Sequence, residues 1–106
     1  MTVYVDNARI PARVGRHTAR WSHLTADTPE ELHAFADDLG SAREWFQARC
    51  KNGRCPTVDD VCVHFHYDVV DTRRTKAIAA GAEAIDIREF GAIISARRVK
   101  FREAAA

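Results

Sequence analysis

The sequence predicts a small single-domain sandwich of the α/β or α+β class, with a short, partly parallel sheet and about three helices. Two observations lead to this class. Segments rich in β-branched and aromatic residues alternate along the chain with segments of helical periodicity. The length of 106 residues, with 46% hydrophobic and 29% charged residues, is that of one globular domain. We therefore expect one domain over residues 1–103 and a tail, residues 104–106, that frays.

Strands are indicated where β-branched and aromatic residues cluster or alternate with polar ones. Residues 2–5 fit a first strand and residues 19–24 a second, with residues 7–18 as an irregular or edge segment between them. Residues 50–60 are predicted to form a loop, because Asn-Gly at positions 52 and 53 is the strongest turn signal in the chain. Residues 61–70 then alternate as a third strand.

The clearest helix signal begins at Thr28. Pro29 follows this residue directly and Glu31 follows it by three positions, a pattern typical of a helix N-terminus. Gly40 is placed to end the helix, and Ser41 could cap a second, short helix. Two aromatic residues of that short helix are expected to pack inward, Trp45 and Phe46.

The last third of the chain predicts a helix, a short strand and a final helix. Asp71 or Thr72 is expected to cap a helix over residues 73–80. Residues 84–87 fit a short apolar strand, and residues 88–98 a last helix that leads into a basic end.

Charge and cysteine content restrict the function classes. The chain has 16 basic and 15 acidic residues, so its net charge of +1 makes a nucleic-acid partner less favoured. No apolar run approaches the roughly 20 residues of a membrane span, and the N-terminus does not resemble a signal peptide. We expect a cytoplasmic protein with no membrane partner, and we leave its oligomeric state open.

Short motifs occur in a distinctive order over most of residues 2–87, and they are Tyr4-Val5-Asp6, Trp21-Ser22-His23-Leu24, Asp27 with Glu31-Leu32-His33-Ala34-Phe35-Ala36, Phe46-Gln47, His66-Tyr67-Asp68, Arg74 and Gly81-Ala82. A chain with this ordered set resembles a small, uncharacterised family of actinobacterial and phage proteins catalogued as a domain of unknown function. The resemblance implies no established activity. The loop from Cys50 to Cys62 looks like a local elaboration of the pattern.

Histidine and aspartate near the ends of predicted elements form the first candidate site. We expect His66 to be the acid–base group, Asp68 to orient it, and His23 to supply a second proton-handling or ligand group. Residues expected to bind the ligand are Arg74, Arg20, His33, Asp6 and Gln47. The ligand would be a phosphate-bearing small molecule or nucleotide, because guanidinium groups bind phosphate in a bidentate manner.

This site predicts a hydrolase or transferase, with a divalent metal as a candidate cofactor because imidazole and carboxylate are metal ligands. Two alternatives stay open: a solvated polar strand edge, and a non-enzymatic module that binds a protein or nucleic acid. An enzyme predicts that His23, His66 and Asp68 converge, whereas a binding module predicts that they are dispersed.

Three cysteines and a histidine lie within 15 residues and could hold zinc: Cys50, Cys55, Cys62 and His64. The spacing of the first pair is permitted for zinc, but that of the second is irregular. The favoured alternative to a zinc site is three free thiols in a reducing compartment. If zinc is bound, the protein could be a zinc-stabilised adaptor in which the cysteine loop is structural.

Overall fold

The computed structural model describes residues 2–51 and 53–105, and a six-stranded mixed sheet with helices on both faces organises them. Met1, Ala106 and the Asn52 half of the predicted turn lie outside the described residues. The strands are β1 Val3–Val5, β2 Ile10–Val14, β3 His17–Ala26, β4 Phe46–Gln47, β5 Thr57–Val58, β6 Val61–Cys62, β7 His66–Val70 and β8 Glu83–Ala84. The helices are α1 Pro29–Leu39, α2 Asp71–Ala79 and α3 Ile87–Ala105, with a short 3-10 helix at Arg43–Trp45.

The sheet has the order β4-β7-β3-β1-β8, and β2 pairs with the first part of β3. The pair β1–β8 is parallel and the other pairs of this sheet are antiparallel. The protein is therefore a small α+β domain with a partly parallel sheet, as the sequence predicts. Strands β5 and β6 form a separate two-stranded hairpin.

The segment expected to be irregular or at an edge contains the edge strand β2, which forms a hairpin with β3 across Gly15. Gly15 has a φ of 60°, a left-handed conformation that glycine adopts without strain. All five residues of β2 are exposed, so no alternation between a buried and a solvated face marks this strand in the sequence.

Helix α1 follows its sequence signals closely. The backbone N–H of Glu31 donates to Thr28 Oγ1 over 3.2 Å, and Gly40 ends the helix with a φ of 85°. Leu32 and Ala36 bury the apolar stripe of the helix against the sheet core, which includes Leu24.

The short helix after α1 differs from its prediction. It is a single 3-10 turn preceded by Ala42, with no side-chain cap from Ser41. Trp45 points outward, with 46% of its surface exposed, beneath the guanidinium of Arg73. Phe46 belongs to β4 and packs against the core. The prediction that both aromatic residues pack inward is therefore wrong for Trp45.

The predicted strand over residues 61–70 is interrupted by a turn in which the N–H of Phe65 donates to the carbonyl of Cys62. Helix α2 begins at Asp71, and Val70 precedes it without a side-chain cap. Neither Asp71 nor Thr72 caps the helix because both lie within it, and Arg9 donates to both oxygens of the Asp71 carboxylate.

The last helix is longer than predicted, since it begins at Ile87 and continues to Ala105. Arg97 is not part of a solvated basic end. Its side chain is buried and donates to the carbonyl of Val63 and the hydroxyl of Thr25, which fixes α3 to the sheet. Each helix in the described part of the chain is too short or too polar to cross a lipid bilayer.

Candidate functional site

Strand register brings the predicted histidines and aspartates to one face of the sheet. His23 of β3 lies directly opposite Asp68 of β7, and His66 precedes Asp68 by two positions, so the three side chains share a face. Leu24 and Tyr67 alternate to the opposite face and are buried in the core. A ligand atom from each of His23, His66 and Asp68 lies within 4.8 Å of the others. Together with Asp6 we call these residues the His/Asp centre.

Asp6 is a buried carboxylate that positions His23. Its Oδ1 accepts from the backbone N–H groups of His23, at 2.8 Å, and Ala8, at 3.2 Å. Its Oδ2 lies 2.6 Å from Nδ1 of the His23 ring. Burial works against the charged form of Asp6, but the hydrogen bonds from His23 outweigh it and lower the pKa of the carboxyl. The same hydrogen bond raises the pKa of His23. Because Asp6 accepts the proton of Nδ1, Nε2 of neutral His23 carries the lone pair.

His66 is also held on the side that faces away from its partner. Its Nδ1 lies 2.6 Å from the carbonyl oxygen of His64, which can only accept, so Nδ1 carries the proton. Its Nε2 lies 3.1 Å from Oδ1 of Asp68. In a neutral imidazole this nitrogen would direct a lone pair at a carboxylate, so a second proton or a cation is needed between them. Burial opposes the charge of Asp68, and the hydrogen bond and charge of His66 outweigh it and lower the pKa of Asp68.

The His/Asp centre is buried on the side of Asp6 and exposed to solvent on the side of Asp68. Asp6 has no solvent exposure, His23 and His66 are 24% and 19% exposed, and Asp68 is 42% exposed. The rings of His23 and His66 meet edge to face with centroids 5.0 Å apart, and Phe90 of α3 covers His23 at 5.2 Å. Solvent or a substrate can therefore approach from the side of Asp68.

Arginine residues flank the centre at the start of α2. Arg74 donates from Nε to the backbone carbonyl of Asp6 over 2.8 Å, and within residues 2–51 and 53–105 this is its one hydrogen bond. Arg9 holds Asp71 through two hydrogen bonds of 3.1 and 2.8 Å. These hydrogen bonds, together with the charges of Arg20 and Arg74, lower the pKa of Asp71. Arg74 therefore reaches the centre through the backbone of Asp6, whose side chain holds His23, whereas Arg20 acts through its charge on Asp71.

The two remaining predicted ligand residues have different positions. Gln47 of β4 lies opposite His66 in the sheet, so both side chains share the face of the His/Asp centre. His33 lies on the other side, where its Nδ1 is 2.8 Å from the hydroxyl of Tyr67. It lines a separate groove of about 720 Å³ together with Phe65 and Phe101.

Sequence reasoning missed two groups that shape the centre. Phe90 contacts His23, but the two residues are far apart in the chain, so no local signal marks this contact. The backbone carbonyl of His64 orients His66. Because any residue at position 64 has this carbonyl, the amino-acid type there does not indicate the role.

The three cysteines and His64 also converge, next to the His/Asp centre but separate from it, and we call them the cysteine cluster. Sγ of Cys50 lies 3.2 Å from the sulfurs of both Cys55 and Cys62. Nδ1 of His64 lies 3.0 Å from Sγ of Cys50 and 3.4 Å from Sγ of Cys55. Burial and the neighbouring sulfurs raise the pKa of Cys50 to about 12, and burial with nearby arginines lowers that of His64. A cavity of about 150 Å³ adjoins the cluster.

Comparison with known proteins assigns a family but no activity. A family model described as "Protein of unknown function (DUF4031)" matches residues 3–97, so the chain belongs to this family. The match spans all four residues of the His/Asp centre and all four of the cysteine cluster. No curated protein and no solved structure matches the chain.

Proposed function

We propose that this member of a family of unknown function is a divalent-cation-dependent hydrolase of phosphate-containing small molecules or nucleotides. The observation that carries the proposal is the convergence of His23, His66 and Asp68 within 4.8 Å on an open face of the sheet. Two imidazoles and one carboxylate are a ligand set used by manganese, iron, cobalt and zinc, and three protein ligands leave coordination positions for water and substrate.

The hydrogen bonds behind the centre favour a cation over a proton. A proton on His66 would satisfy its contact with Asp68, but it would leave Nε2 of His23 without a partner in the described structure. A cation accepts lone pairs from all three groups at once. Asp6 and the His64 carbonyl hold the opposite nitrogens of the two rings, which is the usual support of histidine ligands in metal sites.

The chemistry would be the attack of metal-bound hydroxide on phosphorus. A bound divalent cation can lower the pKa of its water to about 7. His23, His66 and Asp68 would hold the ion; in the hydrolysis it would support, a P–O bond to the water oxygen would form, the ester P–O bond would break, and the leaving oxygen would take a proton from water. This assignment makes His66 a metal ligand rather than the free acid–base group, because both of its ring nitrogens already have partners.

Arg74 supports phosphate as the anionic part of the substrate. Its Nε is held by the Asp6 carbonyl, which leaves the two terminal nitrogens of the guanidinium for an incoming oxyanion. Arg20 lies farther out, beside Asp71, where it adds positive charge to the approach.

The test is metal-dependent hydrolysis by the chelator-treated protein, after addition of Mn²⁺, Co²⁺, Zn²⁺ or Mg²⁺. Substrates would be p-nitrophenyl phosphate, its bis ester and a panel of nucleotides. His23→Ala and Asp68→Asn should each lower the rate by at least about 10²-fold, because each removes one of three ligands. His33→Ala is the matched control, since this histidine lies on the opposite face. Hydrolysis that is independent of metal, or unchanged in His23→Ala, would overturn the proposal.

Ligand binding can be measured without turnover by thermal shift. A phosphate ligand at 100 times its dissociation constant should stabilise the wild type by about 2.7 kcal/mol. Arg74→Ala should abolish this shift and leave the fold intact. If no nucleotide or sugar phosphate shifts the wild type, the phosphate part of the proposal fails while metal binding can still be scored.

A second candidate function is a binding module for a protein or nucleic acid, favoured by the exposed β2–β3 hairpin. All residues of β2 are exposed, and the hairpin carries Arg13, Arg16 and Arg20. If this surface is the functional one, Arg16→Gln with Arg20→Gln should abolish a gel-mobility shift of RNA or DNA, and His23→Ala should leave it unchanged. If the arginine variant keeps the gel-mobility shift and His23→Ala loses it, the His/Asp centre is the functional surface, which favours the hydrolase.

A further inference from the structure

The cysteine cluster is the strongest feature that the proposed function does not use. Its four side chains come from two arms of the chain, the segment that follows β4 and the segment from the end of β6 into the turn before β7. Four of the separations between their ligand atoms run from 3.0 to 3.4 Å. Cys62 is buried and the other three side chains are half-buried.

Ligand atoms of Cys50, Cys62 and His64 all lie within 4.8 Å of one another, and Cys55 approaches Cys50 and His64, so four edges of the cluster are longer than a disulfide bond and close to those of a zinc tetrahedron. The sulfur of Cys50 is 3.2 Å from each neighbouring sulfur, whereas a disulfide bond is about 2.05 Å long. Ligands at about 2.3 Å for sulfur and about 2.0 Å for nitrogen lie roughly 3.5–3.8 Å apart around tetrahedral zinc. An outward shift of a few tenths of an ångström per atom brings these four edges to that length, and Cys55 closes the set by moving toward Cys62.

Backbone hydrogen bonds shape the two arms around the cluster. The N–H of Cys62 donates to the carbonyl of Ala48, which joins the arms beside the sulfurs. The N–H of His64 points at Sγ of Cys62 over 3.3 Å. A backbone donor to sulfur stabilises a thiolate, the form of cysteine that binds metal. Gly53, with a φ of 66°, turns the chain between Cys50 and Cys55.

The surrounding segment has little else to hold it together. Strands β5 and β6 have two residues each, and an isolated two-stranded hairpin is at best marginally stable in water. Most residues between positions 49 and 60 are exposed or half-buried. A bound ion would supply the folding free energy that this segment lacks in apolar contacts.

We propose that Cys50, Cys55, Cys62 and His64 bind one structural Zn²⁺, which folds residues 48–65. Three sulfurs and one imidazole nitrogen form a closed tetrahedral set with no position for substrate, in contrast to the His/Asp centre. The two sites are linked through His64, whose side chain is a zinc ligand and whose carbonyl orients His66.

The test uses the full chain with the His/Asp centre disabled. In the variant His23→Ala with His66→Ala, metal analysis after dialysis should still give about one zinc per chain, because the cysteine cluster is intact. Cobalt substituted for zinc should show thiolate-to-cobalt charge-transfer bands and the visible bands of a tetrahedral site. A histidine and carboxylate site has no thiolate, so these bands report the cysteine cluster alone.

The matched variant Cys55→Ser should lose the charge-transfer intensity of one thiolate and weaken zinc binding. Because Cys62→Ser could prevent folding, titration of the wild type with a mercurial gives a second readout, with release of one zinc as three thiols react. A zinc-free chain with three reactive thiols, or a mass lower by the two hydrogens of a disulfide, overturns this proposal. Neither result bears on metal-dependent hydrolysis at the His/Asp centre, so the two proposals can fail separately.

Discussion

The His/Asp centre and the cysteine cluster meet at His64 and His66, yet the protein builds them in opposite ways. His23, His66 and Asp68 of the centre project from the paired strands β3 and β7, and protein acceptors hold the far nitrogens of both histidines. The side chains of the cluster project from turns and two-residue strands and contact mainly one another. Regular pairing can keep a ligand set in place and open to solvent, whereas a loop must be closed around its ion.

Loss of metal from the cysteine cluster should therefore lower mainly stability, and loss of metal from the His/Asp centre mainly hydrolysis. The effect on stability at the cysteine cluster is the largest that we expect. Chelation of zinc should lower the free energy of unfolding by at least about 3 kcal/mol, a fall in melting temperature of roughly 12–24 °C. Hydrogen exchange should show residues 48–65 losing protection while β1 and β3 retain theirs. An unchanged melting curve after verified zinc removal would show that zinc does not stabilise the cysteine cluster, so the two regions would not differ in this respect.

Loss of ligands from the centre should affect chemistry far more than stability. His66→Ala should lower metal-dependent hydrolysis by at least about 10²-fold, because it removes a ligand of the catalytic cation. Its melting temperature should stay within about 8 °C of the wild type, since the half-buried ring is not part of the core. If His66→Ala unfolds the protein, the His-Tyr-Asp segment is a structural corner rather than a site.

The buried carboxylate of Asp6 offers a finer probe of the same contrast. In Asp6→Asn the new amide N–H₂ faces Nδ1 of His23, so the ring is expected to move its proton to Nε2 and lose the lone pair that faces the centre. Metal affinity at the centre should fall about 10–100-fold.

Competition titration with a chromogenic chelator measures this affinity, and cobalt spectra of the cysteine cluster should not change. Asp27→Asn is the control, because this exposed carboxylate accepts from the hydroxyl of Tyr4 away from the centre. Equal affinity in Asp6→Asn and wild type would show that His23 is not a ligand.

Local patterns predicted the parts of both sites that lie close in sequence. Alternation placed His66 and Asp68 on one side of a strand, and the closeness of three cysteines and His64 in the sequence made zinc a candidate beside the favoured free thiols. The pairing of His23 with Asp68 depends on the register between strands far apart in the chain. From the sequence, the convergence of His23, His66 and Asp68 could be given only as what an enzyme would require. No local signal determines which strands are neighbours in the sheet.

The positions that local patterns did not resolve also depend on how distant parts of the chain pack. His33 lies at the edge of an apolar helical stripe, but that stripe does not reveal which face of the sheet the helix covers. Arg97 belongs to a basic run typical of a solvated helix end, yet its partners are the carbonyl of Val63 and the hydroxyl of Thr25. Strand β2 has no buried face at all, so alternation could not mark it.

The smallest expected effect lies outside both regions and tests whether stability alone connects them. Thr28→Ala removes the hydroxyl that accepts from the N–H of Glu31 at the start of α1, which should cost about 1 kcal/mol. For a domain of this size the melting temperature should fall by roughly 4–8 °C. Zinc content and metal-dependent hydrolysis at 25 °C should stay at the wild-type level, because α1 packs on the face of the sheet opposite the His/Asp centre. A loss of either metal in Thr28→Ala would show that both sites respond to global stability. The distinct effects expected for the two sites would then reflect how far each variant unfolds rather than how each site is built.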